Sequence, residues 1–160
     1  MTKNNVGRFS KNRQFIVFLL LFFAPIVNCF SLTVAGNWIA EDEKTHEPTS
    51  IILIQKQGQF YSGKIIKIFE AKGVKEVGIC QSCAGSRKNQ SVLGLTIIEN
   101  MVCLDGQNCK HGTILDPRDG NVYHAKMELL KNGDALNVRG YIFIPLLGKS
   151  VVWQRQERGD

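Results

Sequence analysis

From Asn121 to Leu130 the sequence reads NVYHAKMELL, and every second residue changes character. Tyr123, Ala125, Met127 and Leu129 share one face, while His124, Lys126 and Glu128 share the other. That period belongs to a strand with one buried and one wet face, because a helix would scatter the same residues around its axis. The pattern recurs in SIILIQKQ (Ser50 to Gln57), QFYSGKIIKIFE (Gln59 to Glu70), ALNVRGYIF (Ala135 to Phe143) and SVVWQRQ (Ser150 to Gln156). SVLGLTIIE, MVCL, KHGTIL and GNWIAE supply further short runs, and Gly58, DGQN and KNGD punctuate them as turns. About eight strands on short connections predict an all-β chain, a single antiparallel up-and-down barrel, since closure leaves no exposed edge. The longest unpatterned stretch, Ala71 to Gln90, is expected to be a loop that is functional or tied down.

The N-terminal residues do not fit this pattern. Lys3, Arg8, Lys11 and Arg13 precede an unbroken apolar run of 13 residues, Phe15 to Val27. Such a run is shorter than the ~20 residues a spanning helix needs, and it follows a basic segment, which is the layout of an export signal. Residues 1–31 are therefore read as a removable signal peptide and residues 32–160 as one barrel domain. Val27 and Cys29, or Cys29 and Ser31, suit the small-residue positions before a cut. Membrane contact is expected only if Cys29 is lipidated or the segment is retained. Losing the segment lowers the formal charge of +6 to about +2. The remainder has interleaved charges and no basic stripe, so no nucleic-acid partner is expected.

Gly36-Asn37-Trp38 opens the first strand, and Arg155 closes the last one, two residues after Trp153. First and last strands are neighbours in a closed barrel, so Arg155 can stack on the Trp38 indole and seal one end. A G-x-W opening with a late arginine resembles the lipocalin pattern. GTILDPRDGNVYHAKMEL, LNVRGYIFIPLLGKSVVWQR, the GNW start and FYSGKI together resemble a bacterial envelope family, domain-of-unknown-function family 2147. The likeness spans Gly36 to Arg155, with Gln90-Ser91 standing where a proline is expected. It implies a lipocalin-like barrel, a signal peptide and periplasmic or secreted residence, and it implies no reaction.

Cys80 and Cys83 form a C-x-x-C, and Cys103 and Cys109 flank the LDGQN turn. With His111 these thiols have the spacing of a zinc ribbon. In an oxidising compartment small domains use such cysteines as disulfides. The local pairings, Cys80 to Cys83 and Cys103 to Cys109, are preferred at about 2–2.5 kcal/mol each. A Cys83 to Cys103 link would give roughly 3 kcal/mol, too small a difference to fix connectivity. Disulfides that staple the fold are the expected state. A periplasmic zinc or redox protein using Cys80, Cys83, Cys103, Cys109 and His111 is the alternative.

Asp116, Tyr123, Arg139 and Tyr141 are the candidate ligand-binding residues. Asp116-Pro117 and Asp119-Gly120 also have the chemistry of a plain hairpin turn. If Leu136, Val138 and Ile142 point inward, Arg139 is a surface residue. If the other face does, it is a buried cation that needs Asp116 or Glu128 as partner. His46, His111 and His124 are scattered, and neither H-E-x-x-H, G-x-S-x-G nor a phosphate-binding glycine loop occurs. No cofactor is expected and no reaction is indicated. The expectation is a non-catalytic exported barrel that binds an apolar or amphipathic small molecule, a lipid, or an envelope protein partner. Phe60, Phe69, Tyr123, Met127, Tyr141, Phe143 and Trp153 are the side chains available to line or to fill its interior.

Overall fold

A computed structural model of the chain describes residues 32–69 and 78–156. The expected signal segment with Cys29, and part of the Ala71 to Gln90 loop, lie outside the described residues. Eight strands follow one another: β1 (Gly36–Glu41), β2 (Pro48–Gln57), β3 (Phe60–Ile68), β4 (Thr96–Cys103), β5 (Asn108–Leu115), β6 (Val122–Leu130), β7 (Ala135–Tyr141) and β8 (Gly148–Arg155). Each pairs antiparallel with its sequence neighbours, and β1 pairs with β8, so the sheet is a closed barrel. The up-and-down topology expected from the alternation is the one observed.

Alternation decides which side chains enter. Ala125 and Met127 on β6, and Leu136 and Val138 on β7, are buried, while His124, Lys126 and Glu128 face solvent. Where the period breaks, the strand bulges. SVLGLTIIE and MVCL, separate runs in the sequence, meet in the single strand β4, whose inward residues Ile98 and Met101 are three apart. Asn100 takes up the odd residue at φ 57°, beside His111 of β5 at φ 65°. Gly112 follows, and a Cβ there would lie 2.2 Å from the Met101 sulfur. A glycine is therefore what lets Met101 fill the core.

One end of the barrel is sealed. Trp38 is fully buried, its indole N–H donates to the Val34 carbonyl at 2.8 Å, and the Arg155 guanidinium lies 4.2 Å from its ring centroid. Arg155 also donates to the carbonyls of Thr33 (2.8 Å), Ala35 (3.1 Å) and Gly133. Above this floor Ile54, Ile98, Met101, Met127 and Leu136 fill the interior. Beyond them it opens.

Candidate functional site

The open half of the barrel holds a cavity of about 1310 Å³. Its wall is built from residues of six strands: Ile52 (β2), Ile65 (β3), Ile97 (β4), Ile114 and Leu115 (β5), Val138 (β7), and Val151 and Trp153 (β8). Gly140 lines it too, where a Cβ would lie 3.4 Å from Ile114 and 3.5 Å from Tyr123. The rim is polar. Asp42, Glu43 and Lys44 come from the β1–β2 loop, Asp116 and Arg118 from the β5–β6 turn, and Lys149 from the start of β8. An apolar interior with a few polar groups at the entrance is the composition of a small-molecule site.

The β5–β6 turn forms for backbone reasons. The Asp116 N–H donates to the Asn121 carbonyl at 2.9 Å, and the Gly120 N–H donates to the Asp116 carbonyl at 2.8 Å. The Asp116 carboxylate receives a two-pronged contact from Arg118, Nε at 3.0 Å and an Nη at 2.6 Å. Burial alone would raise its pKa, but the Arg118 hydrogen bonds outweigh that and hold it below the ordinary carboxylate value. An ion-paired carboxylate of that kind is a weak base, so it suits charge recognition better than proton transfer. The Tyr123 hydroxyl donates to Asp119 at 3.1 Å, and the carboxylate so placed raises the phenol's pKa. Lys149 pairs with Glu43 at 2.6 Å across the exposed rim.

Asp116 and Tyr123 therefore meet at the mouth, and Tyr141 reaches the same cavity from its edge. Arg139 does not. Leu136 and Val138 point inward, which puts Arg139 on the outer face, where it donates to the Pro145 carbonyl (2.7 Å), the Leu146 carbonyl (3.2 Å) and the Ser150 hydroxyl (2.9 Å). Neither Asp116 nor Glu128 is needed to neutralise it there. Among the aromatic candidates, Phe69, Tyr123, Tyr141 and Trp153 line the cavity and Met127 is core. Phe60 (38% exposed) and Phe143 (86% exposed) lie outside, contrary to expectation. Residue pattern alone does not mark Arg118 and Lys149 as rim groups. Arg118 follows Asp116-Pro117 directly, and that proximity is the available signal.

The cysteines are paired locally, Cys80 with Cys83 and Cys103 with Cys109. Cys103 and Cys109 face each other across the β4–β5 ladder. His111 is exposed on its bulge. Cys80 (0% exposed) and Cys83 (3%) are buried, shielding that bond from exchange. Their loop packs on the β5–β6 turn: Cys80 Sγ lies 3.3 Å from the Pro117 carbonyl, and a Cβ at Gly120 would lie 2.1 Å from the Ser82 carbonyl oxygen. The C-x-x-C and D-P-x-x-G motifs are thus two sides of one contact.

The fold has a solved counterpart. The structure titled "Protein HP1028 from the human pathogen Helicobacter pylori belongs to the lipocalin family" superposes with a TM-score of 0.67 over 79% of this chain and 85% of that one, at 16% identity. At that identity the likeness speaks for the barrel alone. No curated protein matches the sequence. A family model described as "Uncharacterized protein conserved in bacteria (DUF2147)" matches residues 36–155, from the glycine that opens β1 to the arginine that closes β8, and the chain belongs to that family.

Proposed function

We propose that this protein is a non-catalytic binding barrel of the bacterial envelope that holds one apolar or amphipathic small molecule, its tail in the cavity and its polar end at the rim. The observation that carries this reading is the cavity itself. Its ~1310 Å³ exceeds the roughly 300–1,000 Å³ of ordinary ligand sites, its wall is mainly aliphatic and aromatic, and it opens at one end only. Arg118 and Lys149 are the rim cations within reach of a carboxylate or phosphate head, each paired with an acid, Asp116 and Glu43, that such a head would compete with. Export to the periplasm or exterior is proposed from the basic-then-apolar N-terminal segment, and two disulfides accord with that compartment.

Native mass spectrometry of the exported chain, followed by titration with a fluorescent long-chain fatty acid, tests the reading. The expected result is a lipid-sized adduct or saturable micromolar binding, weakened at least about ten-fold by Val151→Trp, which fills the cavity. Folded protein that carries no adduct and leaves the probe in water would overturn it.

A further inference from the structure

The β7–β8 loop, Ile142–Leu147, contains no charged residue, and its side chains are turned to solvent: Phe143 is 86% exposed, Leu146 81% and Leu147 63%. Phe143 and Leu146 project from the surface and line no cavity, whereas Ile142 and Leu147 border the mouth. The display is built, not frayed. Ile144 N–H donates to the Ile142 carbonyl at 2.7 Å and Leu147 N–H to the Ile144 carbonyl at 3.1 Å. Arg139 holds the Pro145 and Leu146 carbonyls from below. Phe143 sits at φ 62°, a left-handed conformation that is costly for a bulky residue, and gains almost no burial there.

The outer face beneath the loop is layered. Along β7 the outward residues Arg139 and Tyr141 lead to exposed Phe143 in the loop that follows: a cation, an amphipathic ring, an apolar tip. The adjacent strand β6 repeats the order as Lys126, His124, Val122, with Lys126 opposite Arg139 and His124 opposite Tyr141. The Tyr141 and His124 rings lie 5.6 Å apart, and Val122 is 53% exposed. Apolar tip, aromatic belt and cationic base follow the order of acyl chains, headgroup region and phosphates at a membrane surface.

We propose that this side of the barrel mouth docks on a lipid surface, with Phe143 and Leu146 entering the acyl boundary, Tyr141 and His124 at headgroup depth, and Arg139 and Lys126 facing the phosphates. A protein partner would need a socket for two projecting side chains, whereas lipid adapts to any convex shape. The acids at the same end, Asp42, Glu43, Asp116 and Asp119, come from the β1–β2 loop and the β5–β6 turn; Glu43 is paired with Lys149 and Asp116 with Arg118, and contact is centred on the uncharged β7–β8 loop. The inference does not depend on the cavity binding anything. Ile142 and Leu147 line both the loop and the cavity, so docking would bring the mouth against the bilayer.

The test is site-specific, so that the N-terminal segment cannot confuse it. Phe143→Trp and Leu104→Trp are prepared in the full chain. Leu104 is 83% exposed in the β4–β5 turn at the opposite end. Each is mixed with vesicles of phosphatidylcholine and phosphatidylglycerol, with and without bromine on the acyl chains. Emission from the unsubstituted protein corrects for buried Trp38 and Trp153. For Phe143→Trp the expected result is a blue shift and loss of at least about half of the added indole's emission on brominated lipid. For Leu104→Trp, under about a tenth of the added emission should be lost. No quenching in Phe143→Trp, or equal quenching in both variants, overturns the proposal. A blue shift in Phe143→Trp that grows with protein concentration and ignores lipid also overturns it, in favour of a second copy of the chain.

Discussion

The guanidinium of Arg155 lies 4.2 Å from the centre of the Trp38 ring while it donates to the carbonyls of Thr33, Ala35 and Gly133. One side chain from the last strand thus joins the first strand, the segment before it and the β6–β7 turn. Gly36, at φ 132°, makes room: a Cβ there would lie 2.8 Å from an Arg155 nitrogen. Arg155→Ala is expected to cost about 3 kcal/mol, combining the lost ring contact with carbonyls left unsatisfied. Arg155→Lys should recover less than half of that, because an ammonium cannot span the same acceptors. Urea unfolding of the three proteins measures both.

Gly112→Ala is expected to destabilise the barrel by about 2–3 kcal/mol, since the new methyl meets the Met101 sulfur. Adding Met101→Ala should give a loss smaller than the sum of the single changes, because it removes the side-chain clash and leaves only that with the Glu99 carbonyl oxygen, 2.7 Å from the new methyl. A double-mutant cycle in denaturant reads the coupling directly.

The two disulfides should differ in reactivity. Cys80 and Cys83 are buried, whereas Cys103 is half-exposed at the end of β4. Limited dithiothreitol followed by alkylation and peptide mass mapping is expected to label Cys103 and Cys109 first. Replacing either pair with serine should cost about 2 kcal/mol.

Asp105 accepts hydrogen bonds from the Gln107 N–H (2.9 Å), the Asn108 N–H (2.7 Å) and the Asn108 side-chain amide (2.7 Å). These bonds, that of the Asn108 side chain first, lower its pKa from 3.8 to about 2. Asp116 is also lowered, by Arg118 against burial. A carboxylate with a depressed folded pKa contributes stability above its unfolded pKa and loses it as pH falls through the folded value. Stability should therefore hold down to about pH 4 and decline between about 4 and 2. Asp105→Asn should flatten part of that decline, and carboxyl NMR should show Asp105 titrating near 2.

Much of this barrel was legible in residue order. The β6 alternation carried strand, face and burial together, and a closed meander forces its first and last strands side by side, which brought Trp38 to Arg155 without coordinates. Local cysteine pairing was the preferred reading, but loop lengths left the connectivity open and the structure supplies it. Bulges were not legible: Asn100 and His111 are residue types that tolerate a left-handed backbone, but either type also sits in regular strand and turn, so identity alone does not place a bulge. The same blindness hid the β7–β8 loop: Ile142 and Phe143 read as more strand, yet Phe143 turns the chain. The cavity was hidden for another reason. Inward aliphatic residues look alike whether they touch across the barrel or leave space between them.

The seam between β1 and β8 is short, with Trp38 opposite Arg155 and Ile39 opposite Gln154. Every other strand pair can form as soon as its hairpin has been made, but this one waits for the C-terminal end of the chain. A nascent or truncated chain that stops before Arg155 would hold its meander as an open ribbon with two bare edges. β8 thus works as a latch: the ring, its floor and its freedom from sticky edges arrive together, and only once that strand has been made.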